Sequence, residues 1–412
     1  MCMSSSVFSP VTLSNGITLK NRVVKAAMEE NMASYQSLPG EALYSLYRYW
    51  AHGELGMIIT GNVMIDKQAM TGPGGVALEA KTPLAPFTQW AKIIQSNGAK
   101  AIMQINHPGR QVLKAMQGKA LAPSPIPVNV GKHSKMFATP RQMTCDDIHD
   151  VCQRFVTTAR RAVEAGFDGV EIHAAHGYLL TQFLSPLTNQ RQDEWGGSLE
   201  NRARLLLNIV SQVKAHCPQD FLLMVKINSA DFQRGGFGID DAITVIRRLE
   251  SLGVHVVEVS GGSYEAPAMQ RRTADDTQLA REAYFLEFAR QIASATTIPV
   301  MTTGGIKRAE VAQQVVDSGC TLVGMASALA VTPDLVKKWQ QYPAYAGVIL
   351  KCGWRDKALA SLAGMAMVRR QLRRLGNDLT TLRTPSPLLS LLLDLHHRKR
   401  MTRRYRRELS SE

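Results

Sequence analysis

The stretch Phe167-Asp-Gly-Val-Glu-Ile-His-Ala-Ala-His-Gly-Tyr178 decides how the rest of this sequence is interpreted. Its apolar side chains alternate with Glu171 and His173, a pattern typical of a buried strand. The strand ends at His176 and Tyr178, so three groups that can hydrogen-bond or titrate lie within six residues. Either histidine alone would most often be an ordinary core or surface residue. The cluster favours a functional site.

Strand-like and helix-like segments alternate on both sides of this stretch. The strand candidates are Arg22–Ala26, Met57–Thr60, Ala101–Ile105, Gly169–His173, Leu222–Ile227, Val256–Ser260, Val300–Thr303 and Leu322–Met325. The helix candidates are Pro39–Gly53, Leu84–Asn97, Asp146–Ala165, Leu199–His216, Asp240–Leu252, Arg281–Ala295, Lys307–Ser318 and Asp334–Gln340. Eight apolar strands, each followed by a helix, predict a TIM (β/α)8 barrel. A doubly wound sheet is the main alternative, but no Gly-x-Gly-x-x-Gly follows an early strand.

The predicted strand ends carry several kinds of polar group, which a barrel would bring to one mouth. Gln104 ends the third strand, and Lys226 interrupts the apolar fifth strand, where a lysine is tolerated mainly when its charge is paired or used. Gly304 and Gly305 follow the seventh strand, where backbone amides and a helix N-terminus can hold a phosphate. A solvated lysine and an ordinary turn are the simpler alternatives.

The spacing Glu171-x-His173-x-x-His176 also allows a metal site, because two imidazoles and a carboxylate are common ligands of iron or zinc. Apart from His107, the neighbouring strand ends offer no cysteine or further histidine, and Glu171 lies deeper than the histidines. We therefore predict no metal.

Composition narrows the class of protein. The chain has 412 residues, 45% of them hydrophobic, which suits one large α/β domain with an appendage. Its six cysteines are scattered without a Cys-x-x-Cys, so we expect a reducing compartment and a cytoplasmic location. We find no secretion signal and no apolar run of the ~20 residues that span a bilayer.

The formal net charge of +14 is concentrated after the predicted barrel. From Gly347 onward there are fifteen Lys and Arg against five Asp and Glu. We predict a basic helical C-terminal extension over 346–412, after a barrel domain over 1–345, with helices at Leu359–Leu375 and Leu388–His397. It could pack on the barrel or on another subunit with a solvated basic end, or lie on an anionic membrane surface. Nonspecific phosphate contact is a third interpretation, and we expect no specific nucleic acid partner.

Four segments together resemble the old yellow enzyme family of FMN-dependent oxidoreductases, in particular its NADH:flavin oxidoreductase branch. They are Leu19–Met28, Gly56–Asn62, Gln104–Arg110 and, above all, Gly166–Arg202. The last contains His-Ala-Ala-His-Gly-Tyr, Phe-Leu-Ser-Pro-Leu-Thr-Asn and Asp-Glu-Trp-Gly-Gly-Ser. The likeness runs from about residue 8 to residue 342.

The resemblance implies a role for each matching residue. His173 and His176 would bind a carbonyl or nitro oxygen of a small-molecule substrate, and Tyr178 would give a proton to the adjacent carbon. FMN would deliver the hydride, with NADH or NADPH as the electron donor. The residues that would contact FMN are Ala27, Met28, Gly61, Gln104, Lys226, Gly304, Gly305, Gly324 and Ser327.

Two positions depart from the family pattern. Glu29 stands where several members have a cysteine or threonine, so either its carboxylate points away from the flavin or it lowers the redox potential. Ser327 stands where many relatives have an arginine on the FMN phosphate, so Lys307 or Arg308 would substitute, or binding would be weaker.

The predicted activity is the NAD(P)H-dependent reduction of electron-poor C=C bonds, as in enones and nitroalkenes. A quinone, flavin or nitro-compound reductase of the same family is the first alternative. A metal-dependent barrel enzyme, or a binding protein that acts through its basic tail, is an alternative of another class. Since only Cys352 lies in the region where larger dienoyl-CoA reductases carry a four-cysteine cluster, we expect a stand-alone barrel.

Overall fold

A computed structural model of the chain describes residues 6–270 and 282–410. Its centre is a ring of parallel strands, which we number along the chain. They are β1 (Val23–Lys25), β2 (Met57–Ile59), β3 (Lys100–Asn106), β4 (Gly169–Ala174), β5 (Leu222–Asn228), β6 (Val256–Ser260), β7 (Val300–Thr302) and β8 (Leu322–Met325). Because β8 pairs with β1 and β3 pairs with β4, the sheet closes on itself. The predicted TIM barrel is confirmed.

Helices cover the outside of this ring. They are α1 (Glu41–Ala51), α2 (Ala85–Gln95), α3 (Cys145–Glu164), α4 (Leu199–His216), α5 (Ile239–Ser251), α6 (Leu286–Ala295), α7 (Ala309–Asp317) and α8 (Leu335–Gln341). Their bounds fall within a few residues of the predicted ones, apart from α6, whose predicted start at Arg281 lies outside the described residues. The start of α3 has a clear local cause: Thr144 and Asp147 exchange hydrogen bonds that satisfy the first free amides of the helix.

Shorter elements fill the two ends of the barrel. They are the strands Val11–Thr12, Thr18–Leu19, Val63–Met64, Val76–Ala77, Leu121–Ala122 and Arg141–Gln142, the 3-10 helices Tyr35–Ser37, Lys114–Met116, Gly131–Met136 and Ala268–Gln270, and the α-helices Leu179–Leu184 and Ser327–Val331. Leu13 and Leu19 of the first hairpin pack with the interior side chains at the amino ends of the strands. The hairpin therefore plugs that end, and the carboxyl ends are left for chemistry.

The extension after the barrel forms two packed helices, α9 (Lys357–Leu375) and α10 (Pro387–Ser410). The buried Asp394 of α10 holds them together through salt bridges to Arg369 at 2.6 Å and Arg373 at 2.8 Å. The extension also packs on the barrel domain, where Gly376 lies against Ala42 of α1. In the described ranges, no helix is both long and apolar enough to cross a membrane.

The second tail helix is longer than predicted. The apolar helical pattern predicts a helix over Leu388–His397, but the helix continues through the following run of cations to Ser410. The physical reason is that one face of the basic segment is buried on the barrel: Met401 and Tyr405 are inside, and the Tyr405 hydroxyl donates to the Lys67 carbonyl at 2.6 Å. Tertiary packing overrides the repulsion between neighbouring cations in this helix.

Candidate active site

The barrel register brings the predicted polar residues to one level of the mouth. Glu171 of β4 pairs in register with Gln104 of β3, and His173 of β4 pairs with Lys226 of β5. Lys226 in turn lies beside Glu258 of β6. Since these side chains are nearly or fully buried, their charges and hydrogen bonds must be satisfied locally.

His173 and His176 meet at the carboxyl end of β4, with their ring centroids 5.0 Å apart. His176 has a left-handed backbone, with φ of 62°, and its amide donates to the Asn228 side chain at 3.1 Å. Few non-glycine residues adopt this conformation, and it is frequent at functional sites. It turns the chain so that the second ring comes back over the first.

Both imidazoles are neutral at ordinary pH. Burial lowers the pKa of His173 well below its usual value, and the nearby His176 and Lys226 lower it further. Burial and then Lys226 have the same effect on the pKa of His176. The His173 Nδ1 accepts from the Ala175 amide at 3.2 Å, so its single proton is on Nε2 and can be donated to a ligand.

The third predicted residue, Tyr178, lies against the edge of His173, with ring centroids 4.9 Å apart. Its hydroxyl is 3.1 Å from the hydroxyl of Tyr264 and also receives a hydrogen bond from the Asn62 side chain. Burial raises the pKa of Tyr178 well above its ordinary value, and Tyr264 and Glu29 raise it further. The phenol therefore keeps its proton, as a general acid must.

Sequence reasoning missed Tyr264, which lies just after the glycines at the end of β6. A tyrosine four residues after the predicted end of the sixth strand was the available signal. Glu258 was missed as well, although it interrupts the apolar strand β6 as Lys226 interrupts β5.

Lys226 is paired, as the sequence argument required: its Nζ donates to Glu258 Oε1 at 2.7 Å. Burial is the largest single effect and lowers the pKa of Lys226, but the charges of Glu258 and Glu171 and the hydrogen bond to Glu258 together outweigh it, so the pKa is raised. Gln104 donates its amide to Glu171 Oε2 at 2.6 Å, so Glu171 positions this side chain.

Glu171 itself is best described as a neutral acid. Burial, followed by the charge of Glu258, raises its pKa well above the ordinary range. Two buried carboxylate oxygens have no hydrogen-bond partner among the described residues, namely Glu171 Oε1 and Glu258 Oε2. A proton on Glu171 lets the two carboxyl groups hydrogen-bond to each other, which satisfies both oxygens.

The predicted glycines occupy crowded backbone positions. The Gly61 amide donates to Glu30 Oε1 at 3.1 Å and to the Tyr47 hydroxyl at 3.0 Å. Gly304 has φ of +130° and faces Tyr284, while a Cβ on Gly324 would lie 2.9 Å from the Met301 methyl. Each position lacks room for a side chain.

A buried ion cluster beneath Gly61 was not predicted. Lys25 of β1 lies 3.6 Å from Glu30 Oε1, and Tyr47 donates to the same oxygen at 2.5 Å. Burial lowers the pKa of Lys25 to about 8, against the opposing effect of Glu30, and burial raises the pKa of Glu30. The cluster supports the backbone where β2 ends.

One cavity of about 1100 Å³ extends from the mouth to the first tail helix, α9. Its walls include His176, Tyr178, Tyr264, Met28 and Glu29 on one side and Gly305 and Ser327 near β7 and β8, with Met365, Val368 and Leu372 of α9 above them. The other predicted contact residues, Ala27, Gly61, Gln104, Lys226, Gly304 and Gly324, are not among its walls. A separate cleft of about 740 Å³ between α1 and α8 contains none of the strand-end residues.

Both departures from the family pattern can now be located. Glu29 faces the cavity, and its carboxylate accepts a hydrogen bond from the Thr71 hydroxyl. Arg308 is engaged elsewhere, in salt bridges to Glu282 at 3.2 Å and Glu310 at 3.9 Å. No group of three or more His, Cys, Asp or Glu in the described part of the chain is placed to hold a metal ion.

A parallel barrel with neutral hydrogen-bond donors, a protonated phenol and a large cavity at its mouth is typical of a barrel enzyme that works with a bound cofactor. The family model of the "NADH:flavin oxidoreductase / NADH oxidase family" matches residues 6–344. The chain belongs to this family, which includes the old yellow enzyme homologues, and it is an oxidoreductase that uses FMN with NADH or NADPH as the electron donor.

Relatives support the assignment over most of the chain. It is 37% identical over 353 residues to the NADH-dependent flavin oxidoreductase iliE of Hypocrea jecorina (strain QM6a), covering 80% of this chain and 87% of the relative. It is 33% identical over 337 residues to an NADH oxidase of Thermoanaerobacter brockii, covering 81% of this chain but only 50% of that protein. The fold is similar to that of an old yellow enzyme homologue from Zymomonas mobilis, with a TM-score of 0.71, 24% identity and coverage of 84% and 95%.

The residues present fit FMN. Met28, Gly305 and Ser327 line one cavity large enough for a ring system with a phosphorylated chain, and Gly305 has a positive φ of 73° that leaves its backbone open to an anion. Near the mouth, the buried Asn62 Oδ1 has no hydrogen-bond partner among the described residues, so it is available to a ligand.

Proposed function

We propose that this enzyme reduces electron-poor C=C bonds, such as those of enones and nitroalkenes. The observation that carries the proposal is the buried group of His173, His176 and Tyr178 at the end of β4, where burial favours the neutral imidazoles and the protonated phenol. His176 and Tyr178 line the cavity, and His173 lies directly against both of their rings. Before the reaction these three groups carry no net charge. The imidazoles can donate hydrogen bonds to a substrate oxygen, and the phenol can donate a proton to carbon.

The substrate's carbonyl or nitro oxygen would accept a hydrogen bond from His173 Nε2 and a second from His176. His176 Nε2 lies 2.7 Å from the Ser260 hydroxyl; when that nitrogen accepts, Nδ1 carries the proton for the substrate. Two donors on one oxygen draw electrons from the conjugated double bond and stabilise the negative charge that develops there. When bound, FMN supplies the hydride for the electron-poor carbon.

Tyr178 would then protonate the adjacent carbon. Its hydroxyl is held by Asn62 and Tyr264, so the proton is already oriented when the negative charge appears. Tyr264 would act as a positioning residue through this hydrogen bond.

The cofactor contacts that we propose are those predicted from the sequence. Met28, Gly305 and Ser327 would line the ring and the phosphate, with Ala27, Gly61, Gly304 and Gly324 close behind them. Gln104, oriented by Glu171, would bind the flavin pyrimidine ring, and Lys226 would place a cation next to it.

A stopped-flow experiment tests the substrate class. The FMN-loaded enzyme is reduced with NADH or NADPH and mixed with enones, nitroalkenes, quinones and nitroarenes. We expect the activated alkenes to reoxidise the flavin and to yield the saturated product. Fast reoxidation by quinones or nitroarenes without alkene reduction would replace the proposal with the quinone or nitro-compound alternative.

We also propose a cytoplasmic location. The cysteines at 145, 152, 217, 320 and 352 are free thiols in the structure, which is typical of a reducing compartment. Fractionation of the source cells with an antibody to the chain tests it.

A further inference from the structure

The solvent face of α10 is divided into an apolar half and a cationic half. Five leucines of its first turns, between 45% and 58% exposed, are Leu388, Leu389, Leu392, Leu393 and Leu395. Five exposed cations follow on the same helix, namely Lys399, Arg400, Arg403, Arg406 and Arg407. Their spacing of three, four or seven residues places both groups on one side of the helix.

Contacts on the opposite side fix which face is exposed. Asp394 and Tyr405 are buried, and Arg404 donates to the carbonyls of Ala33 at 2.7 Å and Ser34 at 2.8 Å. The helix therefore cannot turn its leucines inward without breaking these contacts. Monomeric proteins seldom leave a contiguous leucine surface of this kind in water.

Within the described residues, the cationic half has no acidic partner on its own face of the helix. Among residues 6–270 and 282–410, none of its five cations forms a salt bridge. The acidic residues of α10 are engaged on the inner side: Asp394 pairs with Arg369 and Arg373, and Glu408 pairs with Arg404. The exposed face therefore carries uncompensated positive charge next to exposed apolar area.

We propose that this face binds to an anionic lipid surface, with the leucines at the boundary between headgroups and acyl chains and the cations on the lipid phosphates. An anionic bilayer satisfies both halves of the face at once. A nucleic acid would pair the cations and leave the leucines in water. A second copy of this chain would cover the leucines but bring two sets of cations close together.

The test uses the full-length FMN-loaded enzyme in co-sedimentation with phosphatidylcholine vesicles, with and without phosphatidylserine. The charge variant is Lys399→Glu, Arg403→Glu and Arg407→Glu, and the apolar variant is Leu388→Ser, Leu392→Ser and Leu395→Ser. Since all six positions are exposed, the fold should be kept, and unchanged circular dichroism and flavin content would show it. The matched control reverses exposed cations on barrel helices, namely Lys92→Glu, Arg248→Glu and Arg290→Glu.

We expect binding to phosphatidylserine vesicles that weakens as salt is raised and is absent on phosphatidylcholine alone. The charge variant should lose at least about 100-fold in affinity, because each of the three cations near an anionic surface contributes about fivefold and the new carboxylates are repelled by it. The apolar variant should lose at least about tenfold in affinity, because three leucines no longer bring apolar area into the bilayer. The barrel control should bind as the unaltered enzyme does.

Three results would overturn the proposal. The first is a failure of the charge dependence: phosphatidylserine vesicles are not bound at all, or the barrel control loses as much affinity for them as the charge variant does. The second is a dimer in light scattering that the apolar variant dissociates while lipid binding is unchanged, which would assign the face to a second copy. The third is tighter binding to duplex DNA than to vesicles, lost in the charge variant and kept in the apolar variant.

Discussion

Replacing Tyr178 with Phe removes one oxygen from the proposed site and leaves the ring in place. The ring is buried edge-on against His173, with centroids 4.9 Å apart, and Phe has the same shape there. The change removes the hydrogen bonds of the hydroxyl to Tyr264 and Asn62, each worth about 1 kcal/mol net. The variant should therefore fold and bind FMN.

The kinetic effect should be much larger and confined to one half-reaction. A positioned general acid contributes about 100-fold to 10,000-fold, so flavin reoxidation by an enone should slow by at least about 100-fold, or about 2.7 kcal/mol in the barrier. Flavin reduction by NADH or NADPH requires no proton for a substrate carbon, so its rate should stay within about twofold. Reoxidation by a quinone should be equally insensitive, because both protons go to oxygen.

The assay is anaerobic stopped-flow absorbance of the two half-reactions, measured separately on the same enzyme. Tyr264→Phe is the control, because it removes one hydrogen bond to Tyr178 and leaves the acid itself; its effect should be smaller. Since the pKa of Tyr178 is raised well above its ordinary value, the unaltered enzyme should show no loss of enone reactivity up to pH 10. Reoxidation of Tyr178→Phe at the unaltered rate would refute the assignment, and a larger loss in Tyr264→Phe would move the acid role to that residue.

Other predictions address the charges and backbone around the site. Burial lowers the pKa of His107 to about 4, so between pH 6.5 and 4 the unfolded chain binds a proton that the folded chain does not. This group should therefore lower the free energy of unfolding by about 2 kcal/mol at pH 5 relative to pH 7. In urea unfolding at the two pH values, His107→Asn should lack that part of the loss. Because Glu171 is neutral, Glu171→Gln should leave the flavin midpoint potential nearly unchanged. Glu258→Gln removes a negative charge and should raise the midpoint potential by roughly 30 mV. Equal shifts of the two variants in dye-equilibration titrations would contradict the assignment of the neutral acid. A Cβ at Gly61 would collide with the Glu30 carboxylate, so Gly61→Ala should lose about 1–3 kcal/mol in urea unfolding and release FMN more readily, as its fluorescence would report.

The barrel was predictable because its signals are local. Each strand is a short apolar run bounded by turn residues, and each helix has an apolar stripe, so periodicity and count together point to one architecture. The closeness of His173, His176 and Tyr178 was predictable for the same reason, since they lie within six residues of one another at the end of one strand. Their neutral states were not predictable, because these depend on burial and on Lys226 from the next strand.

What the sequence did not predict depends on contacts between distant segments. Glu258 pairs with Lys226 across 32 positions, and Tyr264 meets Tyr178 across 86. The wall formed by Met365 and the other α9 side chains over the mouth has no local sequence signal at all. The full length of α10 was not predictable either, because it depends on the barrel surface that buries Tyr405 and not on the charge pattern of the helix itself.

Glu29 shows how these distant contacts change the chemistry. On sequence grounds its carboxylate either points away from the flavin or lowers the redox potential, and the structure places it in the cavity wall with Tyr178 and Tyr264. Its charge contributes to the raised pKa of both phenols, which keeps the proposed acid protonated. A negative charge here would also disfavour an anionic reduced flavin, and Lys226 would offset it only in part because Glu258 already pairs with that cation. Both effects favour giving a hydride and a proton to the substrate, so a carboxylate at this position is compatible with alkene reduction rather than an obstacle to it.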